Sequence, residues 1–277
     1  MHIHLLVIDP QNDFCDIPQA ALPVPGADAD LTRLAGFVAR QQAQLDGITV
    51  TLDSHAGVAV ERTTFWRQGD GGPVAPFTFV TADDVTAGRC VPREAAHTAE
   101  VLTMLARLAA KGRPGLVVWP VHCVTGTWGH NLHAALAEQL QAWEIARQRA
   151  VRKVLKGEYP LTEHFGVFEA DAPVPGVAST EFNTPLARGL TEGVDLLLLA
   201  GEAASHCVAA SFDQLAAYLT AHGPAAHRPR TVLLSDAMSP VPGFEADAAA
   251  FLARATAFGA EVMRTDEAEA LLRSLRG

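Results

Sequence analysis

A carboxylate, a carboxylate–imidazole pair, an imidazole, an amine and a thiol each stand at or shortly beyond the end of a strand-like run in this 277-residue chain. Asp9 opens Asp-Pro-Gln-Asn-Asp-Phe14, and Asp53-Ser-His55 follows the run 48–52. His122 and Cys123 close Trp119-Pro-Val-His-Cys, Lys156-Gly157 follows 150–155, and Cys207 ends Gly201-Glu-Ala-Ala-Ser-His-Cys. In an open parallel sheet, ligands gather outside the carboxyl ends of the strands, so residues in these places converge on one site.

Cys207 is the candidate nucleophile. It opens an amphipathic stretch at 206–221, which sets its sulfur near a helix N-terminus, where the dipole favours thiolate. Cys15, Cys90 and Cys123 read as small buried hydrophobes. Asp9 is the candidate base for the thiol proton, while Asp13 suits a turn or cap. Lys156 is expected to hold its charge against both Asp9 and the thiolate and to lower both pKa values. Lys153 competes for that role.

Asp53 and His55 are two apart at a strand end, so their side chains leave the same face. With His122 they make one carboxylate and two imidazoles. That set suits a divalent metal, zinc first and also iron or manganese, with positions open for water. His130 and His133 form a rival i,i+3 pair without an evident carboxylate, and His2 and His4 read as terminal residues.

The elements that position these groups follow from periodicity. Near-continuous apolar runs at 3–8, 48–52, 116–118, 194–199 and 231–234, with a weaker one at 260–263, read as parallel strands covered on both faces. Amphipathic stretches at 28–45, 95–111, 131–147, 180–191, 206–221, 243–258 and 265–275 read as helices, the sixth stopped at Phe258-Gly259. Such alternation predicts an α/β, three-layer, doubly wound fold with a mostly parallel six-stranded sheet. Residues 56–94 break the pattern: Gly-Asp-Gly-Gly-Pro is turn chemistry, and the stretch reads as an insertion in a single domain, a lid or an assembly arm. The stretch 221–230 reads as a surface loop.

Composition excludes several classes. With 49% hydrophobic and 19% charged residues the chain is not disordered. A net charge of −10 supplies no broad positive field for nucleic acid or anionic membrane. The first residues lack a basic region before a long apolar stretch, and no window nears 18 apolar residues, so the expected address is the cytoplasm.

Together these residues resemble the isochorismatase-like cysteine hydrolases, specifically their nicotinamidase branch. Asp9-Pro-Gln-Asn-Asp-Phe14 resembles the opening D-x-Q-x-D-F. Asp53-Ser-His55 and Trp119-Pro-Val-His-Cys-Val-Thr-Gly-Thr-Trp-Gly129 resemble the metal half-site and the WPxHCxxGTxG segment, which the isochorismatase branch lacks. Lys156-Gly157 and Gly201–Cys207 resemble the catalytic K-G and the nucleophile turn. The resemblance implies a triad of Asp9, Lys156 and Cys207, and a metal on Asp53, His55 and His122. It also implies a cis peptide between Glu202 and Ala203, an oxyanion hole from the amides of Ala203 and Cys207, and a ring pocket at Phe14, Trp119 and Phe165. Hydrolysis of nicotinamide or a related amide through a thioester, by a homo-oligomer, is the implied activity. A related hydrolase of a carbamoyl compound, cyclic imide or isochorismate-like ether, and a non-catalytic assembly protein on this scaffold, stay open. The chain departs from the pattern in three places. Between His55 and His122 lie 66 residues, Arg62-Thr-Thr-Phe-Trp66 stands where a histidine is common, and Phe165-Gly-Val-Phe168 replaces a tyrosine–serine motif.

Overall fold

The structure is a computed structural model that describes residues 1–222 and 228–276. Six strands form one sheet: β1 (Ile3–Ile8), β2 (Gly47–Asp53), β7 (Arg152–Lys156), β8 (Leu196–Gly201), β9 (Arg230–Leu234) and β10 (Glu261–Met263). Their spatial order is β10-β9-β8-β1-β2-β7, and every pairing is parallel. The expected doubly wound, three-layer α/β fold is therefore observed.

Alternation along the strands builds two cores. Ile3, Leu5 and Val7 with Leu196, Leu198 and Ala200 face one side. There they meet α1 (Ala27–Gln41), α4 (Ala134–Arg147) and α8 (Thr265–Arg276) through Leu31, Leu34, Phe37, Val38, Leu140, Trp143 and Leu272. Leu6, Ile8, Leu197 and Leu199 face the other side. They meet α5 (Thr184–Thr191), α6 (Cys207–His222) and α7 (Glu245–Phe258) through Leu190, Val208, Phe212, Leu215 and Phe251. Each such apolar side chain contributes roughly 1.5–3 kcal/mol on burial. α1 carries Asp28 and Asp30 in its first turn and Arg40 in its last, complementing the helix dipole. α7 stops at Gly259, which takes a left-handed φ of 105°, as the sequence signalled. The centre of the expected 221–230 loop, residues 223–227, lies outside the described residues.

The run 116–118 does not join the sheet. It forms β6 (Gly115–Val118), which pairs antiparallel with β4 (Thr78–Thr81). The place beside β2 belongs to β7, with Asp53 opposite Lys156. The reason is that its burial comes from elsewhere: Leu116 and Val118 pack on Val80, Trp66 and α3 (Thr98–Ala110), not between two helical layers. Residues 56–94 are correspondingly more ordered than their turn-rich composition suggests. They hold β3 (Trp66–Gln68), paired with β5 (Cys90–Pro92), and α2 (Ala82–Thr86), capped by a Thr81–Asp84 box. Val60, Phe65, Trp66, Val74 and Val85 close a third core against Met104, Leu105 and Leu108.

The carboxyl ends of β1, β2, β7 and β8 lie on one rim and carry Asp9, Asp53, Lys156 and Gly201. Gly201 adopts φ 114°, and a Cβ there would drive into the Ile8 carbonyl oxygen. Only glycine lets β8 turn against β1 toward Cys207. Gly201→Ala is expected to lose about 3 kcal/mol or more of stability through left-handed strain plus overpacking, measured as a lower urea midpoint.

Candidate active site

Lys156 sits at the centre of the rim with 2% of its surface exposed. Its ammonium lies 2.9 Å from Asp9 Oδ2 and donates to Asp53 Oδ1 at 2.8 Å and to the His164 carbonyl at 3.1 Å. Cys207 Sγ is 3.6 Å away. Burial alone would lower the lysine pKa, but Asp53, Asp9 and Cys207 hold it well above its usual value. Lys153, the rival, is half exposed at its side chain and points to Glu144, 3.8 Å away.

The opening motif divides its work by position. Asp9 has φ 43° and is fully buried; its amide donates to Thr51 Oγ1 at 2.9 Å, and that hydroxyl donates back to Asp9 Oδ1. Gln11 clamps the end of β2, accepting from Asp53 N at 2.7 Å and donating to the Asp53 carbonyl at 2.9 Å. Asp13 accepts from Cys123 N at 2.7 Å and from Ala21 N at 3.0 Å, so it organises backbone, as a cap does. The left-handed Gly201 turn leads through the cis peptide Glu202–Ala203 to Cys207 at the first residue of α6.

Asp53, His55 and His122 come together although His122 follows a strand outside the main sheet. Asp53 Oδ2 is 2.8 Å from His55 Nε2 and 3.4 Å from His122 Nε2. Each ring turns its other nitrogen outward, His55 Nδ1 to Glu61 Oε1 and His122 Nδ1 to the Pro120 carbonyl, both at 2.9 Å. That leaves the two Nε2 atoms facing one carboxylate oxygen, the donor set and outer-partner pattern of a zinc, iron or manganese centre. This trio alone could ligate a metal among the described residues. His130 and His133 diverge, to Ser54 (2.8 Å) and Asp28 (3.0 Å) respectively. Without a metal, burial opposes charge on His55, but Asp53 and Glu61 push it up to about 9. Burial and then Arg62 push His122 down to about 4.

Phe14, Trp119 and Phe165 line one cleft with Ala203 and Cys207, as expected. His206 joins them, its ring centroid 5.3 Å from Trp119 and 5.2 Å from Phe165, with burial and Arg113 keeping it neutral near pKa 4. The polar end of the cleft holds Arg62 and Glu163, both buried. Glu61 and Glu163 belong to no motif, Arg62 is marked only as standing where a histidine is common, and His206 lies inside the nucleophile turn without being singled out by it. Glu61-Arg62 does interrupt the apolar Val58-Ala59-Val60, which is a signal for buried charge; Glu163 has none. Glu163 accepts from Trp119 Nε1 at 3.2 Å and from His164 N at 3.0 Å. Burial, then Glu61 and Asp171, push its pKa up to about 8.

Lys156 does pull both Asp9 and Cys207 down, as expected, but the net shift of each is upward. Burial raises the Cys207 thiol well above its usual range, outweighing Lys156, with Asp9 and Asp53 adding to the rise. Burial likewise raises Asp9 against the pull of Lys156. Desolvation of a thiol and a carboxyl this deep exceeds what one shared ammonium and a helix terminus return.

No family sequence model matches the chain, and no curated protein matches it by sequence. Solved structures do match by shape. The chain superposes on yeast nicotinamidase with a TM-score of 0.62 at 20% identity, covering 94% of this chain and 99% of that one. For a nicotinamidase/pyrazinamidase of Acinetobacter baumanii the values are 0.61, 18%, 96% and 97%. For a pyrazinamidase of Pyrococcus horikoshii in complex with zinc they are 0.53, 20%, 95% and 99%. The fold is therefore that of the isochorismatase-like hydrolases.

Glu163 links the cleft to pH. An acid whose folded pKa is raised binds more protons in the native state between about 4.5 and about 8, so it withdraws stability as pH rises through that window. Relative to Glu163→Gln, the natural protein is expected to lose stability progressively from pH 4.5 to 8. Urea unfolding of both proteins across that range checks this, and parallel profiles refute it.

Proposed function

We propose that the protein hydrolyses a small carboxamide to the acid and ammonia through a thioester on Cys207. The observation that carries this reading is Lys156 Nζ lying within 3.6 Å of Asp9, Asp53 and Cys207 at the floor of an aromatic cleft. Asp9, raised by burial, takes the thiol proton as Sγ bonds to the carboxamide carbon. The amides of Ala203 and Cys207 hold the oxyanion, one good donor being worth about 3–4 kcal/mol. Asp9 returns the proton to the departing nitrogen, the C–N bond breaks and ammonia leaves. A water then attacks the thioester, giving its proton to Asp9 and thence to sulfur. Lys156 keeps a positive charge beside Asp9 through both halves. Phe14, Trp119 and Phe165 sandwich the acyl group.

Asp53, His55 and His122 would hold a divalent metal, zinc first, which supplies Lewis acidity toward a substrate heteroatom or water when bound. Nicotinamide is one candidate substrate. The proposal takes the chain as one cysteine-hydrolase domain with 56–94 inserted, cytoplasmic and homo-oligomeric.

Ammonia release from a panel of aryl and aliphatic amides tests the reaction. Cys207→Ala is expected to lose at least about a thousand-fold in kcat; full-rate release by that variant ends the proposal. For the metal, the natural protein is expected to hold one zinc per chain after dialysis by elemental analysis, and His122→Ala markedly less. Equal content in both proteins removes His122 from the metal site.

A further inference from the structure

Arg62 is the one buried cation of the cleft that the proposed chemistry does not use. It is fully buried, yet lines the cleft together with Cys207, Trp119 and Phe14. Its Nη1 lies against the His122 ring, 2.6 Å from Nδ1 and 3.0 Å from Nε2, and donates to the Pro120 carbonyl at 3.4 Å. Its Nε and Nη2 have no hydrogen-bond partner among the described residues. A guanidinium presents its donors as a planar fork that matches a carboxylate, and unpaired donors at this depth are costly.

The acids around it do not fill that fork. Glu61 Oε1 comes within 3.5 Å of Nε but faces His55 Nδ1 at 2.9 Å. Glu163 is tied to Trp119 and His164, and its raised pKa leaves it mostly protonated at neutral pH. Asp53 is shared by Lys156, His55 and His122.

We propose that Arg62 is the specificity-determining residue of the site, receiving a carboxylate on the acyl portion of the substrate, so that the amide hydrolysed is an anionic half-amide of a dicarboxylic acid. This rests on the amide-hydrolase reading above and narrows its substrate class. A neutral ring amide leaves Nη2 without a partner and Nε with only the long Glu61 contact, whereas a half-amide supplies a carboxylate from within the cleft that Arg62 shares with Cys207.

The test compares amides that differ by one carboxylate: succinamate against butyramide, and 3-carbamoylbenzoate against benzamide and nicotinamide. The natural protein is expected to favour the carboxylate-bearing member of at least one series by about 100-fold or more in kcat/KM. Arg62→Gln is expected to bring that ratio close to one, and Arg62→Lys to leave it intermediate, because charge remains but the fork is lost. Circular dichroism and zinc content of each variant separate this from misfolding or metal loss. Calorimetric binding of the same amides to Cys207→Ala gives a readout independent of turnover and decides the question should any Arg62 variant be inactive. Equal or better use of the neutral amides by the natural protein in both series overturns the proposal. So does a ratio unchanged in folded Arg62→Gln. Cys207-dependent ammonia release from the neutral amides alone would leave the hydrolase reading standing and Arg62 refuted. Release from none of the amides would refute the hydrolase reading, and calorimetry would then judge Arg62 by itself.

Discussion

The rim of this molecule is organised by one buried ammonium. Lys156 lies almost out of reach of water, and a lone cation there would lose its proton sooner than stay charged. It stays charged because two carboxylates from two other strands meet it at 2.8 and 2.9 Å and a carbonyl takes its third hydrogen. The pairing therefore has a structural consequence as well as a chemical one. It fixes how far β1, β2 and β7 extend relative to one another at their carboxyl ends. Removing any member strands the others as uncompensated buried charge, a loss of about 3–5 kcal/mol in comparable buried pairs.

The same ammonium serves two acids whose fates differ. Asp53 also faces His55 and His122, and these with Lys156 outweigh burial and hold it well below the usual carboxylate range. Asp9 has only Lys156 and the Thr51 hydroxyl against full burial, and it is held above that range. Two carboxylates are pushed apart by their surroundings, and on the proposed reading this divides them into an acceptor suited to ligation and a base suited to proton transfer. The raised thiol of Cys207 fits this division. In the proposed mechanism, a resting thiol beside a raised base gives up its proton as the substrate arrives and does not stand as a thiolate beforehand.

Much of this was legible in the sequence because parallel strands write their ends plainly. Largely apolar, buried strands stop where an acid meets the rim, so Asp9 and Asp53 could be read from position, whereas Lys156 ends a strand with exposed Arg152 and Lys153 and was marked out by its Lys156-Gly157 pair. His122 was found through its motif although its strand was misplaced. Four apolar residues at 115–118 carry no information about which core buries them, and the partner strand at 78–81 lay in a segment with turn composition. The pKa directions were not legible either. Which charges neighbour Asp9 follows from strand order, but the depth of burial that outweighs them depends on how Trp119, Phe14 and Val241 close over the rim.

The cleft is built by residues held on two separate cores, and on the proposed reading this separates chemistry from selectivity. Asp9, Lys156 and Cys207 stand on the main sheet and α6, whose positions are set by the two layers of aliphatic packing. Glu61 and Arg62 stand on the inserted unit, whose own core centres on Trp66. The two are stitched at Trp119, whose amide donates to the Glu61 carbonyl at 2.7 Å and whose carbonyl accepts from Thr63 N at 3.2 Å. Trp119 also contributes the indole that lines the cleft and donates to Glu163. A change inside the insertion can therefore move Arg62 relative to the nucleophile without disturbing the sheet. A change in the sheet cannot leave Lys156, Asp9 and Asp53 in register. If the proposed reaction is the one catalysed, variation in the bound acyl group is open to such a scaffold through residues 56–94, while the buried charges at the rim are not free to vary with it.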